Sequence, residues 1–99
     1  TNTNYKNTIF IGANSKTQHL IKQARNGELE YNPIFIFDEV DDETYISGVP
    51  VRKMDKLSLI ENIESAIITK ELSQKELDLI IDKLTKIGIK DIKIYKQFE

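Results

Sequence analysis

The residues best placed to do chemistry lie in "TIFIGANSKTQHLIKQA", from Thr8 to Ala24. A short apolar run, a glycine, a polar link and an amphipathic stretch make the outline of a phosphate-binding turn. In such a turn the free N–H groups of a helix start face an anion. Gly12 would supply the sharp bend, Ala13, Asn14 and Ser15 the backbone amides, and Lys16 a positive charge beside them. A dinucleotide such as NAD(P) is the kind of ligand such a turn takes. A dinucleotide turn of the form Gly-x-Gly-x-x-Gly uses its second glycine to let pyrophosphate approach the backbone and its third to let helix and strand pack closely. Here those two places hold Asn14 and Thr17. The outline therefore fits either an altered nucleotide site or a structural turn. Asp38 follows the next apolar run, where a ribose hydroxyl would be held, but it stands 26 residues after Gly12, against about 20 in the usual pattern.

Other chemistry is sparse. With no cysteine in the chain, thiolate nucleophiles, disulfides and thiolate metal sites are excluded. His19 is the single histidine, with no serine nucleophile motif, and reads as a partly exposed helix residue. Asp38, Glu39, Asp41, Asp42 and Glu43 read as a solvated acidic loop; their spacing does not match a calcium loop, and no metal is expected. A phosphorylation-receiver domain would need an acid ending its first strand, and "TIFIG" ends in glycine. Tyr31 and Tyr45 read as packing or rim residues. No catalytic residue is assigned.

The elements that must position these residues alternate. "TIFI" and "PIFIFDE" are apolar on both faces, as strands covered on both sides are, with Pro33 tolerated at a strand start. Ser15 with Gln18 has the form of a capping box opening a helix of about three turns, which Gly27 would stop. "VDDETYISG" reads as a loop, "VPVRK" as an edge strand, and Asp55 as the cap of a short helix carrying Leu57, Ile60 and Ile63. "SAIITK" is another buried strand. Ser73 and Glu76 then cap a helix with Leu77, Ile80, Ile81, Leu84 and Ile87 at helical spacing, ended by Gly88. "DIKIY" is the last strand. Strands separated by crossovers form a mostly parallel sheet, and right-handed connections predict the order VPV, PIFIF, TIFI, AIIT, IKIY. The predicted fold is α/β, a Rossmann-like three-layer sandwich of about five strands. Ligands bind such sheets beyond the carboxyl ends of the strands where the order reverses, between "TIFI" and "AIIT", which adds Thr69, Lys70 and Glu71 to the first turn and Asp38.

Ninety-nine residues suit one domain, read as a flexible linker over 1–7 and a single domain over 8–98. The polar opening "TNTNYKN" and the initial Thr suggest a piece of a longer protein. Formal charge is −2, with four bases against two acids in residues 1–37, two against six in 38–55, and eight of each in 56–99. No basic stripe offers nucleic acid the electrostatic attraction it needs. No apolar run approaches the roughly 20 residues of a membrane span.

The order of motifs is more specific than the fold. "TIFIGANSKTQHLIKQARNGELEYNPIFIFDE", "ISGVPVRKMDKL" and "SAIITKELSQKELDLIIDKLTKIGIKDIKIY" resemble the N-terminal, coenzyme A-binding-like domain of bacterial membrane-associated nucleotide-sugar 4,6-dehydratases and epimerases of capsule and surface-polysaccharide biosynthesis. The resemblance spans about residues 8 to 98, and Asn14 and Thr17 depart from that family's glycine-rich first turn. It implies membrane helices before this domain and a catalytic dehydrogenase-like domain after it in the same chain. It also implies a place at the cytoplasmic face of the inner membrane, with a nucleotide or nucleotide sugar and further copies of the protein (a homo-oligomer) as partners. No catalytic position carries over. A similar domain precedes the catalytic part of some polyprenyl-phosphate sugar-1-phosphate transferases, and a free-standing regulatory domain for coenzyme A or a nucleotide is a further reading.

Overall fold

A computed structural model describes residues 5–96. In chain order the elements are β1 (Lys6–Ile11), α1 (Ser15–Arg25), β2 (Tyr31–Asp38), β3 (Thr44–Ile46), β4 (Val49–Lys53), a 3-10 helix (Met54–Leu59), β5 (Ser65–Ile68), α2 (Gln74–Lys86) and β6 (Asp91–Ile94). They form one six-stranded sheet in the order β3-β4-β2-β1-β5-β6, parallel throughout except where β3 pairs antiparallel with β4. The fold is α/β and Rossmann-like. The expected order of five strands is present, with one further strand at the edge.

Alternation along the central strands divides the core into two layers. Ile9, Ile11, Phe37, Ala66 and Ile68 face α2 and the 3-10 helix, where Leu57 and Leu84 are buried against them. Phe10, Ile36, Val49, Val51 and Ile67 face α1, which contributes Leu20 and Ile21. Both helices close as expected at their glycines. Gly27 N–H bonds Ala24 O and Glu28 N–H bonds Gln23 O, and the same pattern recurs at Gly88 and Ile89, so orphan carbonyls are satisfied. The Ser73–Glu76 capping box is present in both directions.

Several boundaries differ from expectation, each for a local reason. Residues 6 and 7, assigned to a linker, lie in β1. Asn7 Nδ2 donates to Asn62 O, Asn7 N–H to Glu64 Oε1, and Asn32 Nδ2 to Asn7 Oδ1, so this strand end is held by polar bonds that leave no apolar pattern. The remainder of the polar opening, residues 1–4, and residues 97–99 fall outside the described part. Pro33 is the third residue of β2, not its first, and sits at a register shift opposite Thr8 and Ile9. The pairing of β2 with β4 begins only at Ile36, so a missing N–H costs nothing there. The expected loop contains β3, joined to β4 by Ser47 (φ 49°) and Gly48 (φ 78°), the two positive φ values of a two-residue hairpin turn. The expected Asp55-capped helix is a 3-10 helix preceded by Lys53 and followed by Ile60 in extended conformation. Leu57, Ile60 and Ile63 therefore do not share one helix.

Candidate functional site

The first turn is built as its sequence outline suggests, and is then filled by the protein's own side chains. Gly12 has φ 137° and donates its N–H to Phe37 O at 2.9 Å. A Cβ there would lie 2.3 Å from Thr69 Oγ1 and 3.0 Å from the backbone nitrogen of Lys70. Only glycine fits this bend. Asn14, not Ser15, is the N-cap of α1: its Oδ1 accepts the Thr17 N–H at 3.0 Å while its Nδ2 donates to Thr69 O at 3.3 Å. The side chain thus spans the crevice from α1 to the end of β5, where the order of strands reverses.

Thr17 occupies the place of the third glycine and is fully buried. Its hydroxyl donates to Gly12 O at 2.6 Å and meets Thr69 Oγ1 at 2.7 Å. A residue that ought to hold the helix away from the strand instead ties it there by hydrogen bonds, which offsets the space it takes.

Asp38 ends β2 and is brought onto the turn. Its Oδ2 accepts Ala13 N–H at 2.8 Å, and its Oδ1 accepts Glu39 N–H at 2.7 Å and pairs with Lys70 Nζ at 2.5 Å. Burial raises the carboxyl's pKa, but the Ala13 N–H, Lys70 and the Glu39 N–H together outweigh it and hold Asp38 below the ordinary aspartate value. An anion therefore already sits on one of the turn's amides. Asp38, the expected ribose acid, bonds the Ala13 amide and Lys70 in this structure.

The remaining candidates divide around this pair. Ser15 is exposed at the first position of α1, and Lys16 is half-buried and lines a cleft beyond β5 and β6. The first turn of α1 carries no acid, and among the described residues no hydrogen bond engages the N–H groups of Asn14, Ser15 and Lys16. Glu71 lies on the rim of the same cleft. His19 is exposed on α1, and Tyr45 is exposed on β3 against Arg52, whose guanidinium lies 5.9 Å from its ring centre. Among the described residues no group of three or more His, Asp or Glu side chains is placed to hold a metal ion, and no helix is long and apolar enough to cross a membrane.

Sequence reasoning missed the pairing of Lys70 with Asp38 and the part played by Tyr95 and Lys96, which follow β6 and line the same cleft. The rule that placed Thr69 and Lys70 at a carboxyl strand end applies equally after β6. Chemically the assembly offers amides and ammonium groups, which bind anions. No nucleophile paired with a base stands among them.

Replacing Asp38 by asparagine is expected to cost about 1–2 kcal/mol at neutral pH, since Lys70 loses its partner and one of two amides its acceptor. A depressed carboxylate stabilises the fold fully above its unfolded pKa and loses that contribution as pH falls through the folded one. The difference between wild type and D38N in urea denaturation should therefore shrink on acidification below the ordinary aspartate range. Parallel stability profiles from neutral to acid pH would show that the carboxylate is not held by the turn.

No protein-family model matches the chain, and no curated protein matches it by sequence. Solved structures do. A Rex-family repressor, RSP, superposes with a TM-score of 0.79 at 22% identity, over 96% of this chain and 47% of that one. The same repressor in complex with beta-NADH superposes at 0.77 with 22% identity, over 96% and 48%. UDP-D-quinovosamine 4-dehydrogenase from Vibrio fischeri superposes at 0.79 with 24% identity, over 93% of this chain and 80% of that one. The chain spans about half the length of the repressor chains. At these identities the likeness is one of fold.

Proposed function

We propose that this chain is an accessory, non-catalytic Rossmann-like domain of a nucleotide-sugar 4,6-dehydratase or epimerase of bacterial surface-polysaccharide biosynthesis. The observation that carries the proposal is the match to UDP-D-quinovosamine 4-dehydrogenase, which extends over 80% of that chain. The order of motifs along the sequence supports the same reading. In it, the first turn is a closed remnant: Asp38 takes the Ala13 N–H, Asn14 takes the Thr17 N–H, and the side chains of Asn14 and Thr17 fill the places of two glycines that NAD(P) or coenzyme A would need. The reaction belongs to a dehydrogenase-like domain of the same polypeptide, at the cytoplasmic face of the membrane, and the sugar-1-phosphate transferase is the alternative host.

The reading frame tests this. It should continue into a glycine-rich strand–turn–helix followed by catalytic dehydrogenase residues, whereas a stop codon soon after Glu99 would sink the proposal. A second reading, a free-standing nucleotide sensor, is favoured by the likeness to the repressor structure described with beta-NADH. Titration with NADH, NAD, NADP and coenzyme A separates the two. The closed turn predicts no amide shifts at Gly12 and Ala13, while a sensor that uses the turn shifts them saturably and gains stability with ligand concentration by mass action.

A further inference from the structure

A cleft of about 940 Å³ opens beyond the carboxyl ends of β5 and β6, near the upper end of the range of about 300–1,000 Å³ that small-molecule sites occupy. Three ammonium groups line it, Lys16 from α1, Lys70 after β5 and Lys96 after β6, against the single carboxylate of Glu71. Lys16 and Lys96 form no ion pair among the described residues. The apolar wall is Leu72, Leu77 and the half-buried Tyr95, whose N–H bonds Ile68 O at 2.8 Å and so fixes where the chain leaves the sheet. Positive charge beside an apolar and aromatic wall suits a ligand that joins phosphates to a ring.

The position of this cleft matters as much as its lining. A dinucleotide crosses the first turn and uses both sides of it. Here the β2 side is taken by Asp38, which lies on the Ala13 amide and holds Lys70. The β5–β6 side opens into the cleft. We infer that the cleft binds a nucleoside diphosphate sugar, with the diphosphate between Lys16 and Lys96 and the base or sugar against Tyr95. The choice of ligand class rests on the host enzyme proposed above. Lys70, 35% exposed in its side chain, can turn from Asp38 to the diphosphate, which couples occupancy of the cleft to the tie across the first turn.

The test is a titration of the labelled chain with UDP-N-acetylglucosamine, UDP and inorganic pyrophosphate, followed by amide shifts. UDP and the sugar nucleotide should give saturable shifts at Thr69, Lys70 and Gln74, with pyrophosphate about tenfold weaker. Lys16→Glu and Lys96→Glu, both at solvent-accessible sites that should leave folding intact, should each weaken binding about tenfold, equivalent to about 1.4 kcal/mol. No shifts at about 5 mM sugar nucleotide, far weaker than metabolite-binding sites, would overturn the inference. So would equal affinity for pyrophosphate and UDP, or affinity unmoved by both reversals. An empty titration beside a dehydratase domain downstream in the reading frame removes the cleft and leaves the host enzyme standing; binding followed by a stop codon after Glu99 does the reverse.

Discussion

Replacing Gly12 by alanine is expected to destabilise the fold by about 3–5 kcal/mol, the sum of a strained backbone and an overfilled site. The backbone there has φ 137°, a conformation side chains rarely adopt. The added methyl would meet Thr69 Oγ1, Asn14 Nδ2 and the backbone nitrogen of Lys70, at 2.3, 2.9 and 3.0 Å. These neighbours differ in how they can yield. Thr69 and Asn14 could rotate, but only by giving up the bonds to Thr17 and to Thr69 O that join α1 to β5. Lys70 N cannot move without disturbing its bond to Ile11 O at 3.2 Å. The double variant Gly12→Ala/Thr69→Ala should therefore recover only part of the loss relative to Gly12→Ala alone. Urea denaturation of the two single variants and the pair measures this coupling, and a loss below about 1 kcal/mol for Gly12→Ala would show that the turn is looser than its contacts imply.

That bend was legible in the sequence because a glycine between a buried strand and a helix has few other uses. The strand order was legible too, because both-face apolar runs such as "TIFI" and "AIIT" can only be central, and crossover handedness then leaves little freedom. What escaped was set by single side chains acting across the fold. Nothing local to Thr17 reveals that it meets Thr69 in place of a glycine, since the partner is 52 residues away. Asn14 and Ser15 are both good N-caps, and the choice went to Asn14 because its amide can satisfy Thr17 N–H and Thr69 O at once. The place of Asp38 after a strand suggests a ligand contact. The same place lets it bond the protein's own Ala13 amide, 25 residues earlier, and only the partner in space decides between the two. The β3–β4 hairpin escaped for a plainer reason: the Ser47–Gly48 turn signal lies inside an acidic stretch whose charge run suggests a loop.

The other large effect lies in the layer behind the site. Leu84→Ala is expected to cost about 2–5 kcal/mol, because α2 rests on the sheet through few buried atoms. Leu84 is 0% exposed and is the one fully buried residue of the helix, while Leu77, Ile80 and Ile81 are only half-covered and Leu79 is 55% exposed. Leu84 packs with Leu57 of the 3-10 helix and with Ile9, Ile11 and Ile68 of the central strands, so a void at this point faces three elements that cannot all close on it. The comparison variant is Leu79→Ala, at an exposed position of the same helix, which should fall within about 0.5 kcal/mol of wild type. Amide exchange adds a directional test: in Leu84→Ala the α2 amides should lose protection ahead of those in β1 and β5, since the helix would open locally before the sheet does. If all three elements lose protection together, α2 belongs to the same cooperative unit as the central sheet. Because Gln74 and Leu77 at the start of α2 also form part of the β5–β6 cleft, the two outcomes differ in consequence: local opening would empty the cleft while leaving Gly12, Asp38 and Thr17 in place.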